Sequence, residues 1–299
     1  MSRYAVVDGQ NNIYAIWRVD IDSAQQLFGT LGPQQRTYQA LTPNPGETPF
    51  EAVQRVAHDL YGDGVKVAMT MLSPGEYYPR IARPSNISQG MPIYPGAALS
   101  KNVIAIATGQ LAALTAQLQR ICQTIHPEGA NLDSYGHDSR NLLILACTEV
   151  EAHWRGVLQA NGETTANNRF TTCDYVKLCG PLHLHEYSIV FPYYPWLAPE
   201  SPFAGWLNSR NPTRDLPWYD AYNLVKHDRE SNFAKAILKH AIQAVTACAV
   251  MMLAQYGDEN VSQPFFSIER RPLWILEEFY ISPYLGNGIG AWIPRKYVF

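Results

Sequence analysis

Charge is scarce in this chain of 299 residues. Asp, Glu, Lys and Arg make up 16% of it, against ~25% in an ordinary soluble domain. Hydrophobic residues reach 46% and aromatics 12%, a composition that buries surface and excludes a disordered or solvating segment. An excess of positive charge is missing too, since 23 Lys and Arg face 26 Asp and Glu for a net charge of −3. Without a global basic field, nucleic acid has to be held by a local patch. Long apolar runs are absent: the most apolar stretch, 241–256, is too short and too close to Lys235, Lys239 and His240 for a membrane span. Met1-Ser2-Arg3-Tyr4 opens without the apolar region of a signal peptide. Cysteines number five, an odd count, and three of them fall in apolar helical runs where a reduced thiol packs as a small hydrophobe. Together these absences predict a soluble cytoplasmic protein with no membrane partner. No GxxxxGK[ST], strand-linked GxGxxG, HExxH or GxSxG is present, and the Gly286–Gly290 run follows no strand–helix junction. That excludes nucleotide triphosphate hydrolysis and serine hydrolysis of the usual kinds, and no cofactor is expected.

What is present divides into two stretches. Residues 1–98 read as a small α+β region. It has short strands at 4–7 and 13–17 around a polar turn at 8–12, a helix opened by Thr48-Pro49-Phe50-Glu51 and closed by Gly62, a third strand at 65–72, and an irregular Pro-, Gly- and Tyr-rich connection to residue 96. Residues 99–299 read as mainly α. Ser100 caps a long amphipathic helix to Ile125, a turn follows at 131–138, and a second helix runs from about Ser139 to Gln159; a short turn between them makes an antiparallel pair. An insertion, 161–215, is rich in Pro, Tyr and Trp, with a strand at 187–191. Pro217 starts a shorter helix, and Asn232 is placed as the cap of a last helix that is apolar almost all round. The aromatic tail, 258–299, is expected to wrap over that bundle.

The most informative string is Pro217-Trp218-Tyr219-Asp220-Ala221-Tyr222-Asn223-Leu224-Val225-Lys226-His227-Asp228-Arg229-Glu230. Asn223 and His227, four apart, share one helix face, with Tyr219 and Lys226 nearby, while Leu224 and Val225 turn to the core. Two readings stand: a solvated helix end, or a polar site displayed from a buried scaffold. Two long antiparallel helices, an insertion, then a helix carrying Asn-x-x-Lys-His and a final long helix resemble the HEPN superfamily over roughly residues 99–257. The resemblance implies a four- or five-helix HEPN-like bundle and an RNA-directed effector, a metal-independent endoribonuclease of a defence or toxin-type system. It also implies a homodimer in which two sites face one groove. Asn223 and His227 match two positions of the family signature, but Tyr222 stands where an Arg is usual. A neutral phenol with one donor does not replace a guanidinium. The expected site is therefore His227 as general acid or base, Asn223 orienting phosphate, Tyr222 at the motif position, and Lys226 or Arg229 as the cation. The alternative is a non-catalytic HEPN-like interaction or dimerisation module that has lost the catalytic Arg.

Three other groups bear chemistry. Glu149 and His153 are four apart, as are Glu151 and Arg155; they read either as helix-surface pairs or as groups orienting His227. Cys173, Cys179, His183 and His185 have ligand types that suit zinc, but the five-residue gap between the thiols is atypical, and free thiols beside a strand edge read as well. The rings Tyr193, Tyr194, Trp196, Phe203, Trp206, Trp218 and Tyr219, with Arg210 and Arg214 among them, pack a loop onto the bundle or, if exposed, stack bases.

Overall fold

The computed structural model describes residues 2–9, 12–29, 40–165, 167, 169–258, 264–285 and 290–299. Part of the expected turn at 8–12, the opening of the Pro- and Gln-rich stretch, parts of the insertion and tail, and Gly286–Ile289 of the glycine run lie outside the described residues. In chain order the elements are β1 Arg3–Gly9, β2 Asn12–Val19, β3 Ala24–Gly29, α1 Pro49–Tyr61, β4 Lys66–Met69, β5 Glu76–Tyr77, β6 Arg83–Pro84 and β7 Pro92–Ile93. There follow α2 Lys101–Thr124, α3 His137–Ala160, α4 Thr172–Tyr175, β8 Ser188–Val190, α5 Pro217–His227, α6 Arg229–Asn232, α7 Leu238–Tyr256, β9 Ser267–Arg270 and β10 Ile293–Pro294. They form two compact units, one of residues 1–78, 83–96 and 274–295, the other of 79–82, 97–273 and 296–299.

The first unit is built on a four-stranded antiparallel sheet, ordered β3-β2-β1-β4. Successive side chains of a strand point to opposite faces, and both faces here are apolar. Ala5 and Val7 of β1 and Ala15 and Trp17 of β2 meet Ala52, Val53, Val56 and Ala57 of α1. Val6 and Ile16 point the other way, to Leu276, Phe279 and Ile281. α1 starts where the sequence places it, through a capping box in which Thr48 and Glu51 satisfy each other's backbone N–H. Segment 274–295 was expected to cover the helices; it covers this sheet instead and closes the unit with β10 parallel to β5, Ile293 N–H donating to Gly75 O at 2.7 Å.

The second unit is helical at its centre. α7 is buried along nearly its whole length, and it packs on α2, α3 and α5. Small residues allow a close approach: the Cys248 thiol donates to the Ala146 carbonyl of α3 at 3.2 Å. Around Trp154 of α3 stand the rings of Tyr175, Phe203, Trp206, Trp218 and Tyr219, with centroids 5.0–6.3 Å away. This ring cluster takes Tyr175, Phe203 and Trp206 of the insertion into the core, while Tyr193 and Trp196 remain exposed.

The expectation of a mainly α protein, a HEPN-like four- or five-helix bundle with a small α+β appendage, is overturned by the strands. A four-stranded antiparallel sheet and three two-stranded pairings accompany the helices, so the fold is mixed α and β. Most of the overlooked strands are two to four residues long, too short to impose a period on the sequence. The start of α7 also moves. Asn232 caps nothing: Asp228 caps the one-turn α6 through Ser231 N–H at 3.2 Å, the Asn232 amide donates back to the Asp228 carbonyl, and α7 begins only at Leu238. Among the described residues no helix is long and apolar enough to cross a membrane.

Candidate functional site

α5 is short because both ends are fixed. Pro217 occupies the first turn, where its missing N–H costs nothing, and the chain leaves helical geometry at Asp228 (φ −140°, ψ 83°). Its inner face is anchored by Trp218, whose indole N–H donates to Pro202 O at 2.8 Å, and by Tyr219, whose hydroxyl donates to Glu151 Oε1 at 2.8 Å. Burial and the adjacent Glu151 carboxylate push the Tyr219 phenol far above its ordinary range. It stays a protonated donor.

Tyr222, at the position where the resemblance expects Arg, is buried. The Lys226 ammonium donates to its hydroxyl at 2.7 Å and stands 4.9 Å from its ring centroid. The hydrogen bond to Tyr222 raises the Lys226 pKa, burial works against it, and the charges of Tyr222 and Glu151 add smaller rises. Lys226 is thus a fixed, fully protonated cation at the surface. One helical turn back, the half-buried Asn223 donates one of its two amide hydrogens to the Tyr219 carbonyl at 2.9 Å. His227 and Arg229 are exposed, with Asp228 and Glu230 between and beside them. The five predicted residues therefore come together on one short stretch, Tyr222 inside and the other four at or near the surface.

Glu149 and His153 do pair, at 3.5 Å, but inside α3 and away from α5. The His153 ring is buried. Its Nδ1 accepts from the Gln255 amide at 3.0 Å, while the second amide hydrogen of Gln255 goes to Met251 O at 2.8 Å and its oxygen accepts from Arg80 Nε at 2.7 Å. That leaves the His153 proton on Nε2, facing Glu149. Burial, with the nearby Arg80 charge, lowers the His153 pKa to about 3, and burial raises that of Glu149. Arg80 is held in the left-handed region at φ 56°, strained for a residue with a Cβ. Gly156 makes room for it, because a Cβ there would lie 1.7 Å from Arg80 Nη1. Nothing in the sequence marks Arg80, which sits in the irregular connection. Gln255, one of two amides in the apolar run of α7, was a visible signal.

No family model, curated protein or solved structure matches this chain. Its chemistry rests on its own geometry.

The remaining groups sort by that geometry. His183 Nδ1 lies 2.6 Å from Glu186 Oε1, and the other carboxylate oxygen of Glu186 accepts from Leu273 N–H at 2.9 Å. Cys179 is buried with its sulfur 3.5 Å from His185 Nδ1, and burial raises its thiol to about 11, while Cys173 is exposed. Among the described residues no three His, Cys, Asp or Glu side chains stand where they could share a metal ion. Glu151 of α3, rather than Glu149, is the carboxylate that reaches α5.

Proposed function

We propose that the chain is RNA-directed and that the exposed end of α5 cleaves RNA without a metal. The observation that carries this reading is the Lys226 ammonium, held 2.7 Å from the buried Tyr222 hydroxyl and over its ring. Metal-free cleavage needs a base, an acid and a fixed cation for the charge that builds on the phosphorane. Tyr222 cannot be that cation, but it positions one. His227, exposed on the following residue, removes the proton of the 2′-hydroxyl, whose oxygen then bonds to phosphorus. The P–O5′ bond breaks, leaving a 2′,3′-cyclic phosphate, and the departing 5′-oxygen takes its proton from a protonated His227 of a second copy. Asn223 offers its second amide hydrogen to a phosphate oxygen, and Arg229 adds a second cation for the backbone.

The test incubates metal-free protein with single-stranded and hairpin RNA. The native chain cleaves; His227→Ala loses at least about a hundredfold in kcat. Tyr222→Phe, which removes the hydroxyl that positions Lys226, lowers kcat about tenfold with KM unchanged. Absence of cleavage by the native chain at high concentration overturns the nuclease reading. The alternative, a non-catalytic module that pairs with a second copy, draws on the start of α2, where Leu99 just before the helix and Val103 and Ile106 on it are 86%, 48% and 73% exposed. Ile106→Glu then abolishes the dimer and leaves α5 intact.

A further inference from the structure

The last turns of α2 and the first turn of α3 enclose an open cleft of about 720 Å³, lined among others by Gln117, Arg120, Thr124, His137, Asp138 and Ser139. Three features of its floor converge on an anion. The first-turn N–H groups of α3, a helix of 24 residues, have no side-chain cap, because the residue before it is Gly136. A Cβ at Gly136 would meet nothing within 4 Å, so the approach is open. Ser139 is only 2% exposed and lines the cleft, yet its hydroxyl has no hydrogen-bond partner among the described residues. The hydroxyl oxygen is not fully enclosed, so it opens on the cleft, where a bound group can accept its proton. Arg120, exposed on α2, supplies a guanidinium across the cleft.

His137, which lines the cleft, joins it to an aromatic step next to it. Tyr135 is 55% exposed, and the His137 and Tyr135 rings lie 5.0 and 5.9 Å from that of Phe233. This aromatic step is fixed in place: Leu238 N–H at the start of α7 donates to Ser134 O at 2.8 Å, and Tyr135 bridges to Ile237. Asp138, exposed at the same edge, is unsuited to a phosphate and well suited to sugar hydroxyls, which carboxylates accept from.

We propose that this cleft binds a ribonucleotide through a terminal phosphomonoester. The phosphate sits on the α3 N-terminus with Ser139 and Arg120, the ribose diol donates to Asp138, and the base stacks on Tyr135 and His137. The site stands on its own residues and is independent of cleavage at α5.

Calorimetric titration tests it with AMP, a short 5′-phosphorylated RNA, the same RNA with a 5′-hydroxyl, adenosine and inorganic phosphate. AMP binds more tightly than adenosine or phosphate alone. If the 5′-phosphorylated RNA binds at least as well as AMP, the source is an RNA end; if only AMP binds, it is a free nucleotide, and either result supports the site. Arg120→Ala weakens AMP about tenfold, and Ser139→Ala about threefold. Asp138→Asn narrows the preference for AMP over dAMP, and Lys101→Ala, at the far end of α2, changes nothing. Equal binding of AMP and adenosine, or an Arg120→Ala/Ser139→Ala double variant that is folded by circular dichroism and binds AMP like the native chain, overturns it.

Discussion

His153 and His227 share a local pattern, each four residues after a polar partner, and the fold gives them opposite conditions. His153 is enclosed between Glu149 and Gln255, with every ring nitrogen engaged; His227 stands at the open end of α5. A helical repeat of polar residues says which side chains share a face. Whether that face meets solvent is decided by what packs on it: α7 covers His153 on α3, while His227 at the end of α5 is left exposed. The first histidine therefore belongs to stability, and the second is left open to solvent, where the proposed cleavage would use it.

The strongest way to break that contrast is pH. Because the folded-state pKa of His153, about 3, lies below the ordinary 6.5, the unfolded chain takes up a proton first as pH falls. Its contribution is fully present above pH 6.5 and is lost as pH falls from there towards 3, at about 1.4 kcal/mol per unit. The span totals on the order of 5 kcal/mol. Urea denaturation across that range checks it, and His153→Gln flattens the slope, whereas His227→Ala leaves it unchanged. Next in size, Gln255→Ala leaves Arg80 Nε and His153 Nδ1 without their partners and costs about 2–3 kcal/mol, read as a lower urea midpoint with RNA cleavage at α5 retained. The smallest effect sharpens the comparison most: His227→Ala changes stability by less than about 0.5 kcal/mol, as befits an exposed side chain, while removing cleavage.

Much of this was legible. α2, α3 and α5 announce themselves by apolar spacing and by Pro217, and the grouping of Tyr222, Asn223, Lys226, His227 and Arg229 follows from one helix. The role of Tyr222 was half legible: its phenol rules out a guanidinium's work, but its grip on Lys226 depends on burial. Arg80 and Gln255 meet across 175 residues, a separation no local pattern encodes. β3, Ala24-Gln25-Gln26-Leu27-Phe28-Gly29, was missed because it lacks alternation. The cleft over α3 was invisible because its evidence is an unfilled bond at Ser139, and sequence records donors without their partners.

The packing of Leu276, Phe279 and Ile281 on the sheet face of Val6 and Ile16 sets an order of events during synthesis. Residues 1–96 leave the ribosome nearly two hundred residues ahead of the segment that covers them. Until 274–295 emerge, one face of the sheet stays bare and its pairing of β5 with β10 is unmade. The first part to be synthesised is thus among the last to be completed, and a fragment ending near residue 98 carries an adhesive apolar surface in place of a finished domain.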